Sequence, residues 1–153
     1  MTIEGTRLEC MLSQLQPALQ AEGQVRLAYL YGSALLRADF RDVDVAVWAP
    51  ETDRMPANPR EAWLGALGLR LERSLTPRCP LDLRLLNRAP LLFQYAVVRT
   101  GRLLLARSEL ERVRFEATVA SLALDLSVGL REYDRTMLAG IREWSTANGP
   151  SPT

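Results

Sequence analysis

Lysine and histidine are both absent from this chain of 153 residues, so all 19 of its basic side chains are arginine. Without histidine there is no imidazole to act as a general base or a metal ligand, and without lysine there is no amine to form a Schiff base. Any catalysis must therefore use carboxylates, hydroxyls, arginine or a bound metal ion.

Cysteines are few, and long apolar runs are missing. Cys10 and Cys79 are too few for a disulfide framework and too far apart for a zinc knuckle, so we expect two buried thiols in a reducing cytosol. The first residues, MTIEGTRLEC, lack the basic and apolar regions of a signal peptide, and no apolar run approaches the length of a membrane span. These features predict a cytoplasmic protein.

The composition is typical of a globular domain, with 48% hydrophobic and 24% charged residues. The formal net charge is +1, which gives no global reason to expect a nucleic-acid or membrane partner.

Apolar spacing and capping signals predict helices that alternate with short strands. Helices are expected at residues 7–21, 60–74, 89–100 and 108–144, and strands at 25–31, 42–49, 80–86 and 102–106. The expected helix starts are marked by Thr6, by Asn58 with Pro59, and by Ser108. This order favours an α/β (α+β) fold, a small mixed sheet with packed helices. Residues 1–107 would form the domain, 108–144 its helical extension and 145–153 a disordered tail.

The C-terminal helical stretch is long for its domain, since residues 108–144 as one helix would run roughly 50 Å. We therefore expect a break at residues 127–129, or a protrusion. Two apolar stripes follow the stretch: Val113, Ala117, Ala120, Leu124 and Val128 form one, and Leu126, Leu130, Tyr133, Met137, Ile141 and Trp144 the other. Either a bend at Gly129 buries both, or one packs on the sheet and residues 130–144 form a protein–protein surface. We favour the second.

Two aspartates open the second predicted strand, which reads DVDVAV from residue 42. Side chains alternate along a strand, so Asp42 and Asp44 share one face, roughly 6.5–7 Å apart at the backbone. Asp82 lies near the start of the next strand, and it can point to the same place if the two strands are neighbours. Carboxylate oxygens are the ligands that Mg²⁺ prefers, with substrate phosphates completing its shell. The three acids thus predict a metal site for phosphoryl or nucleotidyl transfer.

A Gly-Ser pair, Gly32 and Ser33, follows the first predicted strand and is suited to bind phosphate. Glycine lets the backbone approach closely, and exposed amides with the serine hydroxyl can hold the anion. Arg37 and Arg41 in the same loop can neutralise phosphate charge, and Arg88 is a further candidate.

On these residues the sequence resembles a known family. The segment YGSALLRADFRDVDVAV resembles the signature of the polymerase-β-type nucleotidyltransferases, and PLDLRLLNRAPLLFQYAVVRTGRLLLAR is similar to the minimal nucleotidyltransferases. The resemblance implies that Gly32 and Ser33 contact the triphosphate and that Asp42, Asp44 and Asp82 are catalytic ligands of Mg²⁺, as two ions. It also implies an antitoxin that transfers AMP from ATP to a tyrosine of a HEPN-type ribonuclease toxin.

The spacer between Ser33 and Asp42 departs from the family pattern. It is short, and it lacks both the second glycine and the small residue before the first aspartate that many relatives have, so a less open triphosphate loop is expected. Two other functions stay open: transfer to a small-molecule acceptor, and an inactive module that neutralises its partner by docking alone. Self-association also remains open.

Overall fold

The computed structural model describes residues 3–126, with side chains from Arg7 onwards. Its α-helices are Ile3–Gln20 (α1), Ser33–Leu36 (α2), Ala57–Arg73 (α3), Leu91–Thr100 (α4) and Glu109–Asp125 (α5). Its strands are Leu27–Tyr31 (β1), Val43–Trp48 (β2), Leu81–Leu85 (β3) and Arg102–Ala106 (β4), with short 3₁₀ turns at Pro50–Arg54 and Leu86–Arg88. The α+β class predicted from the sequence is confirmed.

The strands of the described region form one mixed sheet in the order β3-β2-β1-β4. β1 pairs antiparallel with both β2 and β4, whereas β2 pairs parallel with β3. Because parallel neighbours need a crossover, α3 lies between β2 and β3 in the chain. The start of β2 is therefore flanked by the start of β3 and by the end of β1.

Alternation along the strands divides the core into two layers. Val43, Val45 and Val47 point to the face that packs against α1 and α3, where the buried helix residues include Leu15, Leu19, Leu67 and Leu71. The opposite face carries Tyr29 and Ala46 and is covered by α4 and α5, with Val97 and Phe115 among the contacts. The even-numbered positions of β2, Asp44 among them, belong to this second face.

Two predicted helix starts and one thiol are corrected by the structure. α1 begins at Ile3, one turn before Thr6, and α3 begins at Ala57 with Pro56 at its N-cap, so Asn58 does not cap it. Proline is tolerated in a first helical turn because the amides there have no partner within the helix. Cys79 is buried as expected, but Cys10 is exposed, since the buried side of α1 is formed by Met11, Leu12, Leu15 and Leu19.

α5 packs on the sheet through a different stripe from the one that the sequence indicated. Val119 and Ala123 are buried and Phe115 contacts Trp48, whereas Val113 is 48% and Leu124 65% exposed. The predicted cap is confirmed, because the Ser108 side chain accepts a hydrogen bond from the Glu111 amide at 3.3 Å. The predicted break at residues 127–129, the surface on 130–144 and the tail 145–153 lie outside the described residues.

No helix within residues 3–126 is long and apolar enough to cross a membrane.

One arginine after β4 closes the C-terminal end of α1. The Arg107 guanidinium donates to four backbone carbonyls, at 3.3 Å to Leu19, 2.7 Å to Gln20, 2.9 Å to Glu22 and 3.0 Å to Val25. Leu19 and Gln20 belong to the last turn of α1, whose carbonyls lack partners within the helix, and Glu22 and Val25 lie in the segment that follows. A cation also favours the negative end of the helix dipole.

We expect Arg107→Met to lower the free energy of unfolding by roughly 2–3 kcal/mol, since several half-buried carbonyls lose a charged donor. Urea denaturation measures this, with Arg114→Met at an exposed position of α5 as the matched control, expected to change stability by less than about 0.5 kcal/mol. Equal stabilities of the two variants would show that the helix end does not need Arg107.

Candidate functional site

Asp44 and Asp82 are directly opposite each other in the parallel β2–β3 pair, and Tyr31 is opposite Asp44 in the antiparallel β1–β2 pair. Asp42 lies one residue before β2 begins. The sheet thus brings the three predicted acids to one edge, where β1 ends and β2 and β3 start.

Negative charges are crowded at this edge, because Asp42 and Asp82 both lie near Asp44. Burial raises the pKa of Asp44 to about 6, with the charges of Asp42 and then Asp82 contributing to the rise, whereas Arg84 opposes them. Beside it the Tyr31 hydroxyl is buried and has no hydrogen-bond partner among the described residues. Burial, followed by the charge of Asp44, also raises the pKa of this phenol. A cation bound here would relieve the repulsion.

The donor set suits a hard cation, although the three carboxylates stand apart from one another. In the described part of the chain, no three acidic or thiol side chains converge as a metal-binding group. Asp82 is exposed and turned towards Arg84, with 3.5 Å between Oδ2 and Nε. Carboxylate oxygens beside an unpartnered hydroxyl nevertheless fit Mg²⁺, which accepts oxygen ligands and keeps several waters.

Arg84 is a site residue that the sequence reasoning missed. It lies two residues after Asp82 on β3, so alternation places both on the same face, and this was the available signal. Its guanidinium lies 5.4 Å from the centroid of the Phe93 ring, and that ring meets Tyr31 edge-on at 5.3 Å. A positive charge is therefore held next to the acids.

Gly32 touches the acid site directly. Its φ of 81° and ψ of −152° fall in a region that is open essentially to glycine alone. A Cβ at this position would collide with the carboxylate of Asp44. Ser33, half-buried, is the first residue of α2, and its carbonyl accepts a hydrogen bond from the Arg37 amide at 2.8 Å. The Gly-Ser turn and the Asp44 carboxylate are packed together as one unit.

The predicted phosphate arginines Arg37 and Arg41 lie in the loop before β2, and both are exposed. Arg37 and Asp39 form an ion pair at 3.4 Å with both side chains mostly exposed. Arg88 is further away, because it follows the far end of β3 and lies 3.8 Å from Asp53.

The loop that leads to Asp42 is anchored by residues that the sequence did not indicate. Phe40 is buried, and Arg7 donates from Nη1 to its carbonyl at 3.1 Å while lying over its ring at 4.2 Å. The Cys79 thiol donates to the carbonyl of Arg41 at 3.4 Å. A lone aromatic residue within a polar loop was the one available signal.

Residues 13–110 match the family model described as polymerase beta, nucleotidyltransferase. This span holds β1 to β4 and every predicted site residue. The chain belongs to the polymerase-β nucleotidyltransferase family.

Solved structures share the fold. A chain of the toxin–antitoxin MntA–HepT has a TM-score of 0.60 at 19% identity, with 85% of this chain and 98% of that chain covered. A toxin–antitoxin structure with AMP-PNP has a TM-score of 0.61 at 21% identity, covering 83% and 98%. A structure of tri-AMPylated HEPN toxin in complex with MNT antitoxin, from Shewanella oneidensis, has a TM-score of 0.56 at 18% identity, covering 89% and 99%. No curated protein sequence matches the chain significantly.

We expect Gly32→Ala to lower the free energy of unfolding by about 2 kcal/mol or more, because the new Cβ meets both a forbidden backbone region and the Asp44 carboxylate. Gly65→Ala is the matched control: Gly65 is exposed in the middle of α3 with nothing within 4 Å of a new Cβ. It should gain roughly 0.5–1 kcal/mol from helix propensity. Thermal unfolding compares the two, and a stable Gly32→Ala protein would contradict the close packing described here.

Proposed function

We propose that this chain is a Mg²⁺-dependent nucleotidyltransferase that transfers AMP from ATP to a hydroxyl of a protein partner, acting as the antitoxin of a HEPN-type toxin. The observation that carries the proposal is the register of Asp44 beside Asp82, with Gly32 packed against the Asp44 carboxylate, in a chain of this family.

In this proposal Asp42, Asp44 and Asp82 hold the metal, as two ions. Bound Mg²⁺ would neutralise the triphosphate and polarise the reacting phosphorus centre. The backbone at Gly32 and the Ser33 hydroxyl hold phosphate oxygens, and Arg37 and Arg41 offset their charge. These roles use only carboxylates, hydroxyls and arginines, the groups that the composition leaves available.

The reaction itself needs one base. The acceptor hydroxyl oxygen forms a bond to the α-phosphorus of ATP, the bond from that phosphorus to pyrophosphate breaks, and the hydroxyl proton passes to a carboxylate. Asp82 suits this last role, because its side chain is 55% exposed and open to an incoming acceptor.

The choice of acceptor rests on the fold relatives and the sequence resemblance. Structures of this fold include one with AMP-PNP and one of an AMPylated HEPN toxin with its MNT antitoxin. The resemblance of the sequence to the minimal nucleotidyltransferases points to a tyrosine as the acceptor residue. A small-molecule acceptor and an inactive docking antitoxin are the alternatives that the next experiment separates.

We expect Asp42→Asn combined with Asp44→Asn to reduce transfer of label from α-³²P-ATP to the co-expressed partner by about a thousandfold or more, since several kcal/mol of metal stabilisation is lost. In EDTA the same variant should unfold at a higher temperature than the wild type, because like charges have been removed. Asp53→Asn, beyond the far end of β2, is the control and should keep activity.

Unchanged labelling by the double variant would overturn the proposed chemistry. If wild-type protein labels no partner but still silences it, the docking alternative is correct. Labelling of an aminoglycoside in place of the partner protein would favour the small-molecule alternative.

We expect Arg37→Ala combined with Arg41→Ala to weaken AMP-PNP binding about tenfold at low salt, with the difference shrinking as salt screens the charges. Arg54→Ala with Arg73→Ala removes the same net charge from positions outside this loop and is the control. Titration calorimetry measures both. If the two double variants lose equal AMP-PNP affinity, the effect comes from the overall charge of the protein and not from a phosphate site.

A further inference from the structure

Arg84 joins the acid site to an aromatic platform. Its Nε lies 3.5 Å from Asp82 Oδ2, and its guanidinium lies over Phe93. Asp82 is in turn the register neighbour of Asp44, and Arg84 is opposite Ala46, two residues further along the same strands. No role for this arginine follows from the family resemblance or from the proposed function.

Arg84 lies on the same face of the sheet as the acids, since it follows Asp82 by two residues on β3. Its side chain is 38% exposed, so it is accessible to a ligand that enters from solvent. Arg84 thus supplies positive charge next to Asp82, as a metal ion bound there would.

We infer that Arg84 is an internal counter-ion that exchanges partners: it pairs with Asp82 while the site holds no metal, and it moves to the nucleotide phosphates when a divalent ion takes Asp82. This inference rests on the proposed function, since it assumes that Asp82 is a metal ligand.

Competition for Asp82 follows from charge. A divalent cation on the Asp82 carboxylate would repel the guanidinium, whose Nε lies 3.5 Å from Oδ2. The pair with Arg84 therefore opposes metal binding and lowers the affinity for the metal.

The released guanidinium has a second anion within reach. A triphosphate bound at Gly32 and Ser33, as proposed, would lie close to Asp44, which is next to Asp82. Arginine binds phosphate oxygens with two parallel hydrogen bonds. The Phe93 ring, which meets Tyr31 edge-on, supports the guanidinium next to this site. The exchange thus weakens binding of the metal alone and strengthens binding of metal with nucleotide.

The test compares Arg84→Gln with the wild type for Mn²⁺ alone, followed by the electron paramagnetic resonance of the free ion, and for AMP-PNP in the presence of Mn²⁺, followed by calorimetry. We expect Arg84→Gln to bind Mn²⁺ alone about fivefold more tightly and AMP-PNP about fivefold more weakly, the effect of one partly exposed ion pair. Arg70→Gln is the matched control, because Arg70 also pairs with a carboxylate, that of Glu22, and has no place in the proposed site. It should match the wild type in both measurements.

Mn²⁺ binding by Arg84→Gln that equals or is weaker than wild type would overturn the competition. Tighter Mn²⁺ binding with unweakened AMP-PNP binding would overturn the transfer to phosphate. Arg84→Lys serves as a second variant that keeps the charge: it should bind Mn²⁺ like the wild type but AMP-PNP more weakly, because lysine cannot form the paired hydrogen bonds. A wild-type protein that binds no Mn²⁺ contradicts the proposed metal site itself, a result distinct from equal binding by the two proteins.

Discussion

The parallel pairing of β2 with β3 fixes Asp44 next to Asp82, and most features of the site follow from this register. Two carboxylates at neighbouring positions repel, and Asp42 adds a third charge close by. The pairing holds because the opposite face of β2 presents Val43, Val45 and Val47, which are almost completely buried. Burial of each such side chain contributes roughly 1.5–3 kcal/mol. The valines therefore outweigh the repulsion at one end of the strand.

The backbone around the acids is fixed from several sides, so the site is arranged before any ligand enters. Gly32 leaves no space for a side chain beside the Asp44 carboxylate. Arg7 and Cys79 hold the two carbonyls that precede Asp42, and the buried Phe40 anchors the same loop. What is left to change on ligand binding is the direction of a few exposed side chains, above all Asp82 and Arg84. The site thus combines rigid backbone with mobile charge.

The sequence predicted the parts of the fold that depend on local patterns. Alternation placed Asp44 on the face opposite the buried valines, and β4 was predicted at its observed bounds. Sheet order is not a local property, so the pairing of Asp44 with Asp82 stayed a conditional expectation. The packing stripe of α5 was predicted wrongly, because helical spacing alone allows more than one apolar face. The face that packs, with Phe115, Val119 and Ala123, is selected by Trp48 and Tyr29, which contact Phe115 and Glu116 from another part of the chain.

The missing lysine and histidine have a consequence for how the site is controlled. Arginine keeps its charge at every physiological pH, whereas histidine would titrate near neutrality. The positive charge beside Asp82 is therefore constant, and pH does not remove it. What can change is the position of this charge, because a guanidinium on a long side chain can move from one anion to another. Because this charge does not change with pH, ligand binding decides which carboxylate is paired with the arginine.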